Sequence, residues 1–476
     1  MSSGEGPRAP QAGPAARAFT RVKAAEARRR AAFDRAARDA ALAALGRAVR
    51  AHEGEILAAL AADLGKPAVE TRLTEILPVL AEIRHARRHL RSWMRLRRVR
   101  PTLAMLGTRA AIRPEPKGTA LIIAPWNYPI SLALGPLVSA LAAGCGAVVK
   151  PSELAPASSA LIARIVAAAL PGDLVQVAEG GVETATDLLA QRFDHIFFTG
   201  SPAVGRVVMA AAAQTLASVT LELGGKSPVV IGPGADMRRA ARMVAWGKFA
   251  NAGQTCIAPD HVFVPRTSQD RFLAELERQI GKMYGRRPIA SASLARIVNA
   301  RHFARLKGLI EGALAGGATL AQGGAMEDES LRIAPTVLLR TDAGMAIARE
   351  EIFGPVLPVI AYDDLDPVLD QIAAGETPLA LYVFERDRAV IERVIGAVSS
   401  GTVGINVTLV QYLHLNLPFG GIGNSGLGAA HGLWGFRAFS HERPVIEDRF
   451  SALGMLMPPY DAAKARLARL VARLVG

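Results

Sequence analysis

The sequence predicts an α/β protein with two doubly wound α/β domains and a small bridging element made of β-strands. Its 476 residues provide enough chain for about three domains. Short apolar runs alternate with helical stretches from Gly118 onward, and the alternation resumes after Gly225. Such runs are typical of buried parallel strands, and their alternation with helices indicates sheets covered on both faces.

Residues 16–100 and 117–221 are predicted to form the first domain. The stretch 16–50 is dense in Ala, Arg and Glu and has no Pro, and no Gly before Gly46, which favours one or two long helices. A second helical stretch follows the break at Gly65-Lys66-Pro67. Strands separated by helices are expected at 119–124, 147–149, 174–177 and 194–198.

Residues 222–411 are predicted to form the second domain. Its expected strands lie near 228–231, 261–264, 335–338 and 379–383. Residues 101–116 differ in texture, because Gly107 and flanking prolines interrupt a strand-like sequence. This pattern predicts an extended arm or strand pair, which with residues 412–450 would form a β bridging and oligomerisation element.

The charge of the chain raises the question of an acidic partner. Lys and Arg number 56 against 42 Asp and Glu, which gives a formal charge of +14 and a pI near 10.3. Such an excess suits nucleic acid or an anionic membrane. Aromatic residues make up only 5% and do not form a base-stacking pattern, so we expect no nucleic acid partner.

Both ends of the chain are predicted to lie outside the domains. Residues 1–15 are rich in Gly, Pro and Ala and are expected to be disordered. Residues 451–476 predict an amphipathic helix from Asp461, with Arg466, Arg469 and Arg473 on its basic face. Weak contact with a membrane surface is one interpretation of this tail, and docking on a dimer is the one we favour.

Cysteine usage favours a reducing, cytoplasmic setting. Cys145 and Cys256 are too few for a secreted disulfide framework, and no cluster of Cys and His indicates a metal site. The sequence shows no apolar signal segment and no run near the ~18 apolar residues that a membrane span needs.

Cys256 lies in a loop of small, mostly uncharged residues, 251–259, after a helical stretch. A thiolate is a strong nucleophile, so this position is a candidate for covalent catalysis. Alone the pattern is weak, because a single cysteine is more often a buried and inert small hydrophobe.

Two other residues have the chemistry to assist such a nucleophile. Glu222 lies among apolar residues beside Gly224 and Gly225, where poor hydration raises a carboxyl pKa and produces a base near neutrality. A buried salt bridge is the alternative for Glu222. Asn127 follows a predicted strand, and its amide can stabilise an oxyanion or simply cap the next helix.

Two segments that follow predicted strands are candidate cofactor sites. The turn 198–205 opens a helix, where free N–H groups favour phosphate, although it lacks the G-x-G-x-x-G pattern and a simple tight turn is the alternative. The segment 150–153 lies at the carboxyl end of a strand, where open α/β sheets bind ligands, or else it faces solvent. The candidate residues are Gly200, Ser201 and Gly205 in the first segment and Lys150, Ser152 and Glu153 in the second.

Seven blocks match one family in sequential order: 125–129 (PWNYP), 150–153 (KPSE), 198–201 (FTGS), 222–226 (ELGGK), 253–256 (GQTC), 350–355 (EEIFGP) and 418–421 (PFGG). The chain resembles the aldehyde dehydrogenase superfamily from about residue 16 to its C-terminus. It is most similar to the class 3-like branch of fatty, aromatic and coniferyl aldehyde dehydrogenases, as its end 439–444 (FSHERP) indicates. The resemblance implies a Rossmann-like cofactor domain, a catalytic domain and a homodimer.

The resemblance also implies a role for each candidate residue. Cys256 would attack the aldehyde, the Asn127 amide and the Cys256 N–H would hold the oxyanion, and Glu222 would activate the hydrolytic water. NAD or NADP would accept the hydride. The implied cofactor contacts are Glu351 and Phe353 at the nicotinamide ribose, Lys150 and Glu153 at the adenosine ribose, Ser201 at the pyrophosphate, and Trp126, Ser152, Gly200, Gly205, Leu223 and Gly224.

The implied activity is NAD(P)-dependent oxidation of a medium- or long-chain aliphatic or aromatic aldehyde to its acid. Alternatives are a relative that passes the acyl group to coenzyme A, and a non-catalytic basic protein associated with membrane or nucleic acid. Glu222 argues against the first, because coenzyme A-dependent relatives generally lack that base. Two departures from the family pattern, Cys145 for Asn and Val407 after Asn406, leave details of the substrate pocket open.

Overall fold

The computed structural model describes residues 13–102, 105–451, 454 and 457–475, and within them it contains two large sheets, a three-stranded antiparallel sheet and a two-stranded antiparallel sheet. The strands are β1 (Arg97–Val99), β2 (Thr108–Pro116), β3 (Thr119–Ile123), β4 (Gly146–Lys150), β5 (Val175–Val177), β6 (His195–Thr199), β7 (Ser218–Glu222), β8 (Pro228–Ile231), β9 (His261–Pro265), β10 (Thr319–Gln322), β11 (Met326–Glu327), β12 (Arg332–Ile333), β13 (Thr336–Leu339), β14 (Val356–Tyr362), β15 (Ala380–Phe384), β16 (Thr402–Ile405), β17 (Gly426–Leu427) and β18 (Ser440–Asp448).

Helices connect most of the strands within each large sheet. The α-helices are Pro14–Ala24, Glu26–Ala32, Arg35–Ala51, Glu53–Leu64, Ala68–Thr71, Leu77–Trp93, Pro129–Ala143, Pro156–Ala169, Val182–Leu189, Pro202–Thr215, Met237–Phe249, Gln269–Tyr284, Ala300–Ala315, Ala346–Arg349, Leu365–Ala374, Arg388–Ala397, Gly432–Ala438 and Ala462–Val475. A π-helical turn, Arg72–Ile76, leads into the helix Leu77–Trp93.

The predicted doubly wound fold is confirmed. The first sheet has the order β17-β7-β6-β3-β4-β5, and the second has the order β10-β13-β14-β9-β8-β15-β16. Successive residues of one strand enter different cores: Leu121 packs in one apolar cluster and Ile122 in another. Both faces of this sheet are therefore covered, as expected for strands without apolar–polar alternation.

The N-terminal helices differ from the expectation of one or two long elements. Three α-helices fill the stretch, because the chain breaks at Ala25 and again before Asp34, whose side chain accepts a hydrogen bond from Ala37 N and caps the third helix. The first helix begins at Pro14, inside the segment expected to be disordered, and Ala15 is buried. Residues 1–12 of that segment lie outside the described residues.

The bridging element is a three-stranded antiparallel sheet in the order β1-β2-β18. Strand β18 pairs with β2 over its whole length, from Ser440 opposite Pro116 to Asp448 opposite Thr108. Strand β17, from the same C-terminal segment, instead extends the first large sheet antiparallel to β7. The C-terminal segment therefore connects the bridging sheet to the first domain.

Candidate active site

The carboxyl edge of the first sheet brings several predicted site residues together. Strands β7, β6, β3 and β4 are neighbours in this parallel region, and Thr199 lies opposite Glu222 in the register. Likewise Ile123 lies opposite Lys150, so the loops that carry Asn127 and Glu153 leave the sheet at the same edge. Ligands of open α/β sheets bind at this edge.

The nucleophile loop follows the helix Met237–Phe249 and takes an unusual backbone course. Asn251, Ala252 and Gly253 have φ values of 50°, 52° and 74°, in the left-handed region. At Gly253 a Cβ atom would overlap the carbonyl of Gly354, so only glycine allows this contact between the two loops. Cys256 follows this turn, half-buried, as a free thiol.

Side-chain hydrogen bonds hold the nucleophile loop in place. The Gln254 amide donates to Asn251 O and Arg296 O, both at 3.0 Å, and its Oε1 accepts from Val298 N at 3.0 Å. Thr255 Oγ1 lies 2.7 Å from the Tyr128 hydroxyl. Cys256 is therefore presented from a loop fixed on both domains.

Asn127 is buried against the nucleophile loop. Its amide donates to Gln254 O at 2.9 Å, which leaves a second amide hydrogen for a ligand. The backbone carbonyl of Asn127 accepts from Lys66 Nζ at 3.1 Å and from Asn251 Nδ2 at 2.9 Å. The structure thus orients the amide beside Cys256, and Asn127 does not cap the next helix, for which Tyr128 is the N-cap.

Glu222 ends β7 as a buried carboxyl group. Within the described part of the chain neither of its oxygens has a hydrogen-bond partner, so the salt bridge weighed as an alternative is not formed there. Burial raises the pKa of Glu222 well above its ordinary value. This raised pKa is the property expected of a base that works near neutrality.

The surroundings of Cys256 favour its protonated thiol over the thiolate. Burial, followed by the negative charges of Glu351 and Glu222, raises the pKa of Cys256 to about 12. The backbone N–H groups of Cys256 and Ile257 act in the opposite direction but do not compensate. The loop alone does not produce a thiolate, so the nucleophile needs a base.

Two cavities meet at Cys256, and they share Glu222, Leu223, Thr199 and Leu132 as walls. The larger, about 260 Å³, has ten of the predicted site residues in its lining: Trp126, Asn127, Gly200, Ser201, Glu222, Leu223, Gly224, Cys256, Glu351 and Phe353. The smaller, about 40 Å³, is mostly apolar and is lined further by residues such as Phe197, Phe419, Tyr412 and His431. Cys256 can therefore face a cofactor on one side and a substrate on the other.

The larger cavity suits a dinucleotide. The Trp126 and Phe353 rings lie edge to face with centroids 5.5 Å apart, and the Glu351 carboxylate lies against Gly224, where a Cβ would overlap it. Burial, together with Asp260, raises the pKa of Glu351 to about 7. Buried Thr199 Oγ1 has no protein partner among the described residues, which leaves a hydrogen-bonding atom for a ligand.

Four predicted cofactor residues lie outside the lining of this cavity. Lys150 donates to Glu153 at 2.8 Å; although burial raises the Glu153 pKa, this hydrogen bond brings it below its ordinary value. Ser152 Oγ accepts from Leu154 N, and Gly205 allows its helix to pack against Leu223. Lys150, Ser152 and Glu153 follow β4 at the shared edge, whereas Gly205 has a packing contact.

Sequence reasoning missed two features of the site. Arg305 lines the larger cavity and donates to the carbonyls of Glu351 and Ile352 at 3.2 and 2.6 Å. Lys66, seen in the sequence only as part of a helix break, is buried and paired with Glu75 at 2.8 Å. A buried Lys has no sequence signature of its own, because its partner is chosen by the fold.

The two departures from the family pattern are Cys145 and Val407. Cys145 is fully buried before β4 and donates to Phe439 O at 3.3 Å. Val407 is half-buried, and Asn406 before it accepts from Glu385 N–H at 3.1 Å and donates to the Glu385 carbonyl at 2.8 Å. The Cys145 thiol and the Asn406 amide thus each bind a backbone segment beside them.

The fold, the cavity at the sheet edge and the cysteine loop define an NAD(P)-dependent aldehyde dehydrogenase. The sequence pattern of the Aldehyde dehydrogenase family matches residues 8–445, and the chain belongs to this family. It is 43% identical over 405 residues to aldehyde dehydrogenase family 3 member A2 of Rattus norvegicus, covering 85% of this chain and 83% of that protein. It is 40% identical over 430 residues to the dimeric NADP-preferring aldehyde dehydrogenase of Canis lupus familiaris, covering 89% and 93%.

Solved structures give the same result. A substrate-bound state of Staphylococcus aureus AldH has a TM-score of 0.92 and 37% identity, and covers 96% of this chain and 100% of that one. A mutant of aldehyde dehydrogenase C from Pseudomonas syringae, complexed with NAD+ and octanal, has a TM-score of 0.82 and 29% identity, covering 92% and 89%. Among the described residues of our chain, no helix combines the length and apolarity that crossing a membrane requires.

Proposed function

We propose that Cys256, Glu222 and Asn127 catalyse the oxidation of a hydrophobic aldehyde to its carboxylic acid. The observation that carries the proposal is the meeting of two cavities at Cys256, with Glu222 in the walls of both. The smaller cavity has a mostly apolar lining, which suits an aliphatic or aromatic chain. A relative with such a ligand is the P. syringae enzyme solved with octanal.

The residues divide the chemistry among them. Because the Cys256 pKa is about 12, its proton must pass to Glu222 directly or through water before sulfur bonds to the aldehyde carbon. The electron pair of the carbonyl moves to its oxygen, which accepts from the second Asn127 amide hydrogen and from Cys256 N–H. Glu351, Phe353 and Trp126 line the cavity that would hold the nicotinamide of NAD or NADP, which would supply the hydride acceptor.

Hydrolysis completes the proposed cycle. After hydride loss the carbon is a thioester; Glu222 releases the proton that it took from Cys256 to solvent and then takes a proton from the water that attacks the thioester carbon. The carbon–sulfur bond then breaks, the sulfur leaves with the electron pair, and the acid is released. Transfer to coenzyme A is disfavoured, because a buried carboxyl with a raised pKa beside Cys256 suits water activation.

Exchange of the nucleophile tests the proposal. In Cys256→Ser, NAD(P)H formation with an aliphatic or aromatic aldehyde should fall by on the order of 10⁴-fold or more, because the hydroxyl is a much weaker nucleophile. Cys145→Ser is the matched control, since that thiol is buried away from both cavities. Wild-type protein that oxidises no aldehyde in a broad panel, or an active Cys256→Ser, would contradict the proposal.

We further propose that the protein is a homodimer. We also propose that it works in the reducing cytoplasm, where Cys256 stays a free thiol. The bridging sheet exposes apolar side chains such as Val99, Val445 and Ile446, which is typical of an interface. The dog relative carries the word dimeric in its name. In the tail helix Ala462–Val475, Leu470 is 55% exposed, and we propose that it docks on the partner subunit.

Removal of all residues after Pro459 separates docking from membrane contact. With docking, the truncated protein should form a weaker dimer, and sedimentation with anionic liposomes should be unchanged by the truncation. Light scattering over a dilution series measures how readily the dimer dissociates. Liposome binding by the full chain that disappears on truncation would assign the tail to the membrane surface instead.

A further inference from the structure

A second large cavity adjoins the substrate side of Cys256. It has a volume of about 260 Å³ and shares Gly135, Tyr412 and His431 as walls with the small cavity that reaches Cys256. Leu77, Pro78 and Val79 give much of the remaining wall an apolar character. A substrate chain that starts at Cys256 and passes Tyr412 would enter this space.

The apolar lining is interrupted by polar side chains, namely Glu82, Arg84, Ser131 and His431. Glu82 is buried, and its Oε1 accepts from Gly432 N at 2.7 Å, but its Oε2 has no hydrogen-bond partner in the described part of the protein. His431 Nε2 is also buried without a partner there. Glu82 Oε2 lies 3.5 Å from His431 Nδ1, so the two side chains form one polar site. Unsatisfied buried polar atoms are costly, which points to a ligand group that pairs with them.

Neighbouring rings fix the position of His431. Its ring centroid lies 4.6 Å from that of Tyr412 and 5.6 Å from that of Phe419, both nearly edge to face. The Tyr412 and Phe419 rings also contact each other, with centroids 5.1 Å apart. The three rings line the small cavity, so His431 is held where a substrate chain passes.

We propose that Glu82 and His431 bind a hydroxyl group carried by the substrate at a distance from its aldehyde carbon. A hydroxyl donates its one hydrogen to Glu82 Oε2 and accepts from His431 Nε2–H, which is present in the protonated ring and in the Nε2–H tautomer of the neutral ring. A plain alkyl chain would remove water from both atoms without replacing its hydrogen bonds. The substrate class that this site selects is therefore a hydroxylated hydrophobic aldehyde, and this inference rests on the proposed function.

Matched substrates measure the selection. Pairs of n-alkanals and ω-hydroxyalkanals with six to twelve carbons are compared by kcat/KM in the wild type. At the chain length that reaches the site, the hydroxylated member should be preferred by about tenfold, which corresponds to one charge-assisted hydrogen bond. His431→Phe keeps the ring packing but removes Nε2, so the preference should reverse toward the alkanal.

Two further variants guard this result. Glu82→Gln keeps the acceptor for Gly432 N and removes the charge, so it should reduce the preference several-fold. His89→Phe, on the same helix as Glu82 and with its Nδ1 bonded to His85 O at 2.9 Å, is the matched control and should retain the full preference. A preference for the plain alkanal at every length, or one unchanged in His431→Phe and Glu82→Gln, would overturn the inference.

Binding of unreactive analogues separates this inference from the proposed function. Calorimetry with α,ω-alkanediols and 1-alkanols of equal length requires no turnover. Tighter binding of the diol that is lost in His431→Phe supports the hydroxyl site even in a protein that oxidises no aldehyde. Equal binding of diol and alkanol by a catalytically active wild type overturns the site and leaves the oxidation intact.

Discussion

At the scale of single residues, Glu222 shows how folding prepares a base. The strand end places its carboxyl group in the walls of two cavities, where neither oxygen has a protein partner in the described chain. The resulting rise in pKa is useful for catalysis but opposes folding, because ionisation of a buried group costs free energy. The residue that we propose as the base for water is therefore expected to destabilise the folded protein at high pH.

The stability that the folded protein loses when Glu222 ionises can be measured with Glu222→Gln. Because the folded-state pKa lies above the ordinary value of 4.5, the folded protein binds more protons than the unfolded chain, and its stability falls as pH rises through that window. The variant removes this loss, at about 1.4 kcal/mol for each unit of pKa shift. Its Tm should match that of the wild type near pH 4 and exceed it at pH 9. Glu311→Gln, on an exposed helix position, is the control; a variant Tm at or below the wild-type value at pH 9 would contradict the argument.

At the scale of elements, a buried ion pair between Lys66 and Glu75 connects its own segment to the loop and helix that follow β3. Lys66 Nζ, between two helices, donates to Glu75 in the π-helical turn and to Asn127 O after β3. Glu75 Oε2 accepts from Ser131 N in the next helix, and the Lys66 ammonium lies 4.0 Å from the centre of the Tyr128 ring. The pair thus contacts the backbone of Asn127, and we expect it to position the side-chain amide of that residue.

Lys66→Met tests this positioning role. Loss of the ammonium leaves Glu75 buried and unpaired, so stability should fall by about 3–5 kcal/mol. The double variant Lys66→Met/Glu75→Gln should recover most of that stability, because no isolated charge remains. Its kcat should still be reduced about tenfold with the cofactor KM unchanged, since Asn127 has lost a contact. Recovery of both stability and kcat in the double variant would show that the pair is only structural.

The sequence predicted the strands and the reactive residues of the site better than the residues that hold them in place. Apolar runs located β3, β4, β5 and β6, whereas β7, which ends in Glu222, was not predicted as a strand. Parallel strands necessarily bring the loops after them to one edge. Cys256, Glu222 and Asn127 could be proposed because each combines reactive chemistry with a local pattern. Lys66 could not, because its partners lie nine and 61 residues away and only the tertiary fold brings them together.

At the scale of the molecule, the bridging sheet leaves a row of apolar side chains uncovered. Ile446 on β18 is 62% exposed, and Phe450 just beyond the strand is 84% exposed. Exposed apolar patches of this kind mark interaction surfaces in soluble proteins. The sheet is therefore the surface through which we expect two copies of the chain to associate.

Ile446→Asp examines that surface directly. A charge at the centre of a self-complementary interface is buried twice, once from each subunit, so the dimer should dissociate at concentrations at which the wild type is intact. Mass photometry over a dilution series gives the oligomeric state. Leu320→Asp, at a similarly exposed position on β10 in the second sheet, should leave the state unchanged. Equal dimer content in both variants would place the interface elsewhere.

The contact between Gly253 and Gly354 has a consequence for redesign of this enzyme. The nucleophile loop and the segment that carries Glu351 and Phe353 touch backbone to backbone, with no side chain between them to absorb a shift. Substitutions that move the segment with Glu351 and Phe353, which we propose as the nicotinamide end of the coenzyme site, should therefore also displace the Cys256 sulfur. Lys150 and Glu153, which we propose as the adenosine end of the coenzyme site, follow β4 and form no hydrogen bond to the Cys256 loop in the described part of the chain, so we expect substitutions there to change coenzyme choice without moving the sulfur.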